Sequence, residues 1–380
     1  MLLWDMYGDD GEKLLELIIP MEVDYNAQKY RVTSIGNGAF MSSTQNPVET
    51  ILLPESVLSI GDRAFHGLAS LTFVNIPSNV IYIGAEAFYG CSSLNGLTIP
   101  LHLARINDST FSGCSGLTSI NIPNSVSSIE SAAFSGCTGL TSINIPNSVS
   151  SIESAAFSGC TGLTSINIPN SVSSIESATF SGCTGLTSIN IPDSVTIIGS
   201  AAFSNCTGLT SISIPDNVMN IEGYAFESCN SLENIKLPTS LKNLGASAFS
   251  NCGNLRSIKI PGTIETIQVA TFKECVKLEN VEFEYGVKEI YEEAFYRCSS
   301  LTHVEFPTSM ETIGRNRESA AGTVNDGPFE ACSSLSSISL NERASRHKTM
   351  LISWMPDREC NFSNYFEIYS VFSHLHIVVI

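Results

Sequence analysis

The chain has 380 residues, 43% of them hydrophobic and only 15% charged, so it has material for a core beneath a sparsely charged surface. Its 37 acidic residues against 19 Lys and Arg leave a formal net charge of −18, which argues against nucleic acid, whose phosphates are held by Lys and Arg, and against anionic membrane surfaces. No Lys or Arg lies between Ile106 and Ile235, and no run reaches the roughly 18 apolar residues that would insert in a bilayer.

In chain order, Met1-Leu2-Leu3-Trp4-Asp5 lacks the basic start of a secretion signal, and Ile377-Val378-Val379-Ile380 is too short for an anchor. The protein stays where it is made, or a signal has been removed, or the chain is a fragment; all three stay open. Leu17-Ile18-Ile19-Pro20 reads as a strand exit, with Lys29-Tyr30-Arg31-Val32 pairing beside it. Residues 1–31 are therefore expected to form an N-terminal cap over the apolar edge of the neighbouring segment.

From residue 32 the sequence repeats. From Phe65 to Phe295 phenylalanine recurs every 23 residues, with Cys three positions later from Cys91 to Cys298. The pattern is A-F-x-x-C-x-x-L-x-x-I-x-I-P-x-x-V-x-x-I, and thirteen units can be counted by their Phe. In one unit, Ile143 and Ile145 alternate with Asn144, the period of a strand. Pro146 lacks a backbone donor and belongs at the strand's end. Glu153 to Phe157 predicts one short helical turn, with Gly159 at its exit. A single unit cannot bury its own Leu, Ile, Val and Phe, whereas stacked units share a continuous core.

The pattern breaks after Phe295, where the step to Phe329 is 34 and residues 315–328 read as a protruding loop. After Leu340 the repeat stops. Residues 341–380 carry basic residues and then an aromatic run, Trp354 to Phe372, and read as an irregular C-terminal cap, a non-native tail or a separate binding element.

The twelve cysteines do not suggest disulfides, because ten occupy one equivalent position. Side chains projecting in parallel do not bring Cβ atoms face to face. Leu68 takes the Cys position in one unit, which fits a small buried apolar slot. Cys360, outside the array, is the expected exposed thiol. No C-x-x-C, P-loop, G-x-S-x-G or H-E-x-x-H occurs. The repeated serines have no unique base beside them, so the chain is read as no enzyme, with no cofactor implied. His374 and His376 could pair on a strand as a metal site, against an exposed tail pair. Glu130, Glu153 and Glu176 share one position and form a solvated acidic stripe or, with more oxygens, a Ca²⁺ column. The sequons at Asn107, Asn205 and Asn361 are no more than chance gives, and the one at Asn205 abuts a core cysteine.

The motifs L-x-x-I-x-I-P and A-F-x-x-C resemble the BspA-like leucine-rich repeat over residues 32–340. The resemblance implies an α/β leucine-rich-repeat solenoid of about 13 coils, with a parallel β-strand face and short helical or 3-10 turns on the other side. The strand face is then the working surface. Its outward residues include Phe73, Asn121, Asn144, Asn167 and Asn190, then Lys236, Arg256, Lys259, Glu282, His303 and Glu305. The Asn column can also be structural, a ladder of amides bonded coil to coil. Identical units offer identical surfaces, so discrimination between partners is expected at residues 232–340 or near Phe73. The resemblance further implies a non-enzymatic, protein-binding scaffold at the cell surface or secreted, adhering to extracellular-matrix or host surface proteins. A passive spacer that presents another domain is the competing reading.

Overall fold

A computed structural model describes residues 15–42, 46–314, 327–340, 350–352 and 377–379. The chain forms two compact units, Met1–Leu186 and Thr187–Ile380. Each is a stack of parallel-strand coils, about 12 turns in all. Most coils contribute to two sheets. In the first unit, the first sheet pairs Glu16–Ile18 with Thr50–Leu52 and Phe73–Asn75, and Ser119–Asn121 with Ser142–Asn144, every pair parallel. In the second unit it joins Ser188–Asn190 to Ser211–Ser213, and Ser257–Ile260, Asn280–Phe283, His303–Phe306 and Ser337–Leu340 in sequence. Side chains alternate as the period-two pattern requires: Ser142 and Asn144 are exposed and Ile143 is buried.

The second sheet is built from shorter strands. Arg105–Ile106, Ser128–Ile129 and Ser151–Ile152 pair in the first unit, and Ile197–Ile198, Asn220–Ile221 and Asn243–Leu244 in the second. Farther along, Thr266–Ile267, Glu289–Ile290, Thr312–Ile313, Met350–Ile352 and Ile377–Val379 follow in parallel. Between the sheets, the prolines that end first-sheet strands open tight turns, as where the Val149 N–H donates to the Pro146 carbonyl at 3.0 Å.

Helical or 3-10 turns are absent among the described residues. The segment expected to be helical alternates the direction of its N–H groups instead. The N–H groups of Ala132, Phe134 and Gly136 donate to Ser154, Ala156 and Ser158 of the next coil at 2.9, 2.8 and 2.7 Å. Those of Ala133, Ser135 and Cys137 turn back to Glu130, Ala132 and Phe134 of their own coil. The alternation needs left-handed backbone two residues before each Phe and two after it, as at Ala132 (φ 53°) and Gly136 (φ 71°). A right-handed helix cannot contain such residues. Stacking thus converts what looks like a helical turn into a ladder of turns running from coil to coil.

The core lies between the sheets. Its axis is a column of rings, Phe40 to Phe180 in the first unit and Phe203 to Phe329 in the second. Around Phe157, ring centroids stand 5.5 Å from Phe134 and 5.8 Å from Phe180, with planes 2° and 5° apart, the offset stacking that aromatic quadrupoles favour. The described cysteines are buried free thiols. Ten of them hand the S–H to the carbonyl of the Phe one coil back, as from Cys160 Sγ to Phe134 at 3.1 Å. Leu68 is as buried as the thiols whose place it takes.

At the start of the chain, Leu17-Ile18-Ile19-Pro20 does enter a sheet, in register with Thr50–Leu52. Lys29–Arg31 does not pair beside it but folds back antiparallel on Glu22–Asp24. The Asn26-Ala27 corner, with both residues left-handed (φ 53° and 61°), forms a two-residue hairpin that closes on itself before the chain can extend. Most of the loop at 315–328, Cys360, Asn361, His374 and His376 lie outside the described residues.

Candidate binding surface

In the first unit the outward face of the first sheet is neutral from Thr118 to Asn167. Coil after coil it presents Thr, Ser and Asn: Thr118, Ser119 and Asn121, then Thr141, Ser142 and Asn144, then Thr164, Ser165 and Asn167. The Thr hydroxyls bind the sheet itself, Thr141 Oγ1 donating to the Thr118 carbonyl at 3.3 Å. Asn121 and Asn144 are register neighbours, yet the amides of Asn121, Asn144 and Asn167 form no side-chain hydrogen bonds among the described residues, and neither does Asn190 in the second unit. The expected amide ladder is not built there, because exposed amides have water as an equal partner. It is built at one step of the second sheet, where Asn243 Nδ2 donates to Asn220 Oδ1 at 2.6 Å. Phe73 stands 48% exposed in strand Phe73–Asn75, and Ile18, 60% exposed, lies two strands away in the same sheet.

Beyond Ser213 the second unit's face becomes charged, and its charges pair between coils. Lys259 Nζ lies 2.7 Å from Glu282 and 3.1 Å from Glu284. Those two carboxylates hold the Lys259 ammonium above its ordinary range, Glu282 foremost. Glu284 sits below the usual carboxylate range because it accepts the Gly262 N–H at 3.2 Å and then because of Lys259. Arg256 Nη1 lies 3.4 Å from Glu279. His303 Nδ1 reaches the Ser337 hydroxyl at 2.7 Å and Nε2 the Ser339 hydroxyl at 3.3 Å. The sheet places Lys259, Glu282 and Glu305 in one register column. Lys236 and Glu305 are exposed and form no ion pair among the described residues. The column therefore carries a satisfied pair, Lys259 and Glu282, between an open cation and an open anion.

Elsewhere the acidic column is tied down. Glu130, Glu153 and Glu176 are half-buried, and each accepts a hydroxyl of its own coil, from Ser128, Ser151 and Ser174 at 2.7, 2.5 and 2.6 Å. Among the described residues no three His, Cys, Asp or Glu side chains converge to hold a metal ion. The sequon residue Asn205 is left-handed (φ 60°), and its amide donates to Ser204 Oγ at 3.0 Å. No helix among the described residues is long and apolar enough to cross a membrane.

One concave feature lies away from the strand face that the repeat pattern pointed to. A groove of about 900 Å³ on the second sheet of the second unit is lined by Asn220, Glu222, Lys242, Asn243, Gly245 and Gln268, among others. The repeat does not single it out: the position after the short strands reads Gly36, Gly61, Gly84, Asn107, Glu130, Glu153 and Glu176 in the first unit and Gly199, Glu222, Gly245, Gln268, Tyr291 and Gly314 in the second.

A family model described as BspA type leucine rich repeat region (six copies) matches residues 33–164, 106–232, 151–276 and 196–320. No curated protein matches the chain. Among solved structures, a leucine-rich repeat protein from Bacteroides ovatus is 27% identical with a TM-score of 0.64, over 96% of this chain and 92% of that one. A leucine rich cell surface protein from Faecalibacterium prausnitzii is 26% identical with a TM-score of 0.52, over 89% and 93%. The pneumococcal vaccine antigen PcpA shares the fold at 18% identity and a TM-score of 0.56, over 98% and 91%.

Proposed function

Because the chain belongs to the BspA-type leucine-rich repeat family, we propose that it is a non-enzymatic protein-binding scaffold that works at the cell surface or after secretion. Its ligands are macromolecular, extracellular-matrix or host surface proteins, and the first-sheet face of the second unit holds them. Bacterial relatives support the location, one of them described as a cell surface protein. The observation that carries the site is the change in character along that face. Neutral, near-identical rows in the first unit cannot encode a unique epitope. Lys236, Arg256, Lys259, Glu282, His303 and Glu305 in the second unit can. Lys236 and Glu305 are open to a partner, while Lys259 and Glu282 can exchange their mutual pair for pairs across an interface. Phe73 offers a separate apolar anchor of the kind that concentrates binding energy. Residues 1–31 are proposed to cap one end of the stack, and residues 341–380 to form an irregular C-terminal cap or tail.

The test is charge reversal. Lys236→Glu with Lys259→Glu, on the full chain, is expected to weaken capture by a panel of purified extracellular-matrix and host surface proteins at least 10-fold. The expectation rests on the loss of complementary charge, which acts chiefly on association rate and specificity. Undiminished binding to each ligand that captures the unaltered chain removes the proposed site.

A second reading has its own observation. Residues 137–159 and 160–182 differ only at Ala156 and Thr179, so the near-identical coils are suited to a passive spacer that presents another domain.

A further inference from the structure

The sequence holds two Asn-Gly steps, Asn37-Gly38 and Asn95-Gly96. At such a step no side chain beside the glycine nitrogen shields the amide carbon of the preceding Asn, and the backbone turns freely. The fold treats the two steps in opposite ways.

At the first step both groups are occupied. The Gly38 N–H donates to the Asp62 carbonyl at 2.8 Å, and Asn37 Oδ1 accepts the Asp62 N–H at 3.0 Å. Gly38 is held in the left-handed region (φ 61°). Asn37 is thus clamped to the next coil through its side chain and through the backbone that follows it.

At the second step neither group is held. Asn95 and Gly96 take the places of Thr141 and Ser142 in a coil whose first-sheet strand does not form. Residues 94–100 lie outside any strand, between Phe73–Asn75 and Ser119–Asn121. The Gly96 N–H and the Asn95 side chain form no hydrogen bond among the described residues, and the Asn95 N–H reaches the Thr72 carbonyl only at 3.5 Å. Asn95 is exposed, and a Cβ added at Gly96 would meet nothing within 4 Å. Strand pairing fixes ψ at about +115° to +135°, which keeps the next nitrogen away from the side-chain amide carbon. Without a ladder, Asn95 can turn its Cγ toward the Gly96 nitrogen.

We propose that Asn95-Gly96 is a self-modification site at which Asn95 loses its amide through a cyclic imide. The Gly96 nitrogen gives its proton to solvent base and attacks Asn95 Cγ. The new N–Cγ bond closes a succinimide ring as the Cγ–Nδ2 bond breaks, and Nδ2 leaves as ammonia with a proton from water. A water molecule then opens the ring. Addition at Cγ leaves an aspartate, and addition at the main-chain carbonyl leaves an isoaspartate, whose backbone runs through the side chain. The balance is one amide and one water to one carboxylate and one ammonium, with no change of oxidation state. Either product adds a negative charge to the first unit, one coil from Phe73. The chemistry rests on this coil alone and not on the binding role proposed for the strand face.

The experiment incubates the full chain in mildly alkaline buffer and follows each Asn by proteolysis and tandem mass spectrometry, with chromatography resolving aspartate from isoaspartate. In the native chain Asn95 is expected to convert at least about 10-fold faster than Asn37, whose two hydrogen bonds must open first. In denaturant the two rates are expected to agree within about 3-fold, since both steps then share one unfolded backbone. Gly96→Ala places a methyl in open space, so the variant folds, which a thermal melt checks. It is expected to slow conversion at Asn95 about 10-fold, because a Cβ narrows the backbone and shields the nitrogen. Equal rates at Asn37 and Asn95 in the native chain overturn the proposal. So does an Asn95 that stays intact when native but converts in denaturant, or one whose rate Gly96→Ala leaves unchanged.

Discussion

Cys160 shows how much a single side chain contributes when its environment recurs. Its S–H reaches the Phe134 carbonyl at 3.1 Å in a fully buried site. Burial pushes the thiols of Cys91, Cys137, Cys183 and Cys252 up from 9.0 to about 12. In the unfolded chain a thiol ionises near 8.5. A group whose folded value is raised stabilises the fold fully below the unfolded value and loses that contribution as pH climbs toward the folded one. The melting temperature is therefore expected to hold up to about pH 8 and to fall steadily between roughly pH 8.5 and 12. A scanning-calorimetry series in that range, repeated on a chain with several array cysteines changed to Ala, checks the cause: the variant's decline should be shallower. For the same reason iodoacetamide at pH 8 should leave the eleven described cysteines intact until denaturant is added. Rapid alkylation of any of them in the native protein would contradict the buried array.

At the scale of the element, the turn ladder between the sheets makes the sharpest claims. Phe157 is clasped by a ring on each side, and Phe157→Ala should cost about 3–5 kcal/mol in urea unfolding, as large truncations in tight cores do. The glycines nearby are not equivalent. Gly159 is left-handed (φ 71°), but its added Cβ would sit 3.7 Å from Gly136, an ordinary contact. Gly159→Ala should therefore cost only the left-handed backbone, about 1–2 kcal/mol. Gly162 has an ordinary backbone, but a Cβ there would stand 2.5 Å from the Thr138 carbonyl oxygen. Gly162→Ala must push two coils apart and should cost more than Gly159→Ala. The reverse order in measured stabilities would mean that the coils are not spaced as described.

For the molecule as a whole, stacking makes stability a sum over neighbours. Removing residues 137–159 joins Gly136 to Cys160, the same dipeptide that Gly159 and Cys160 form, so each remaining coil keeps an equivalent neighbour. The shortened chain is expected to fold, with the far-ultraviolet circular dichroism per residue unchanged and a smaller urea m-value, since m tracks the surface exposed. Removing eight residues from the same place shifts the Phe and Cys columns out of register and should prevent folding. If both deletions behave alike, the 23-residue period is not the unit of stability.

The period, the Phe and Cys columns and the Ile-x-Ile strand could all be read from spacing, because each is a side-chain pattern that burial imposes at a fixed step. So could the family, the number of coils to within one, and the tendency of the charged residues to gather late in the chain. The second sheet was hidden: strands as short as Ser128–Ile129 have no alternation to read. The turns were misread as helical, since Glu-Ser-Ala-Ala-Phe has helical preferences and the left-handed residues that override them are stabilised by bonds to a neighbouring coil, far away in sequence. Columns could be listed from the repeat, but not which members touch. That Lys259 closes on Glu282 while Lys236 stays open, or that Gly245 packs directly on the Gly223 backbone, depends on distances between coils. Those distances arise only when the coils, about 12 turns in all, are stacked and backbone groups bond from coil to coil.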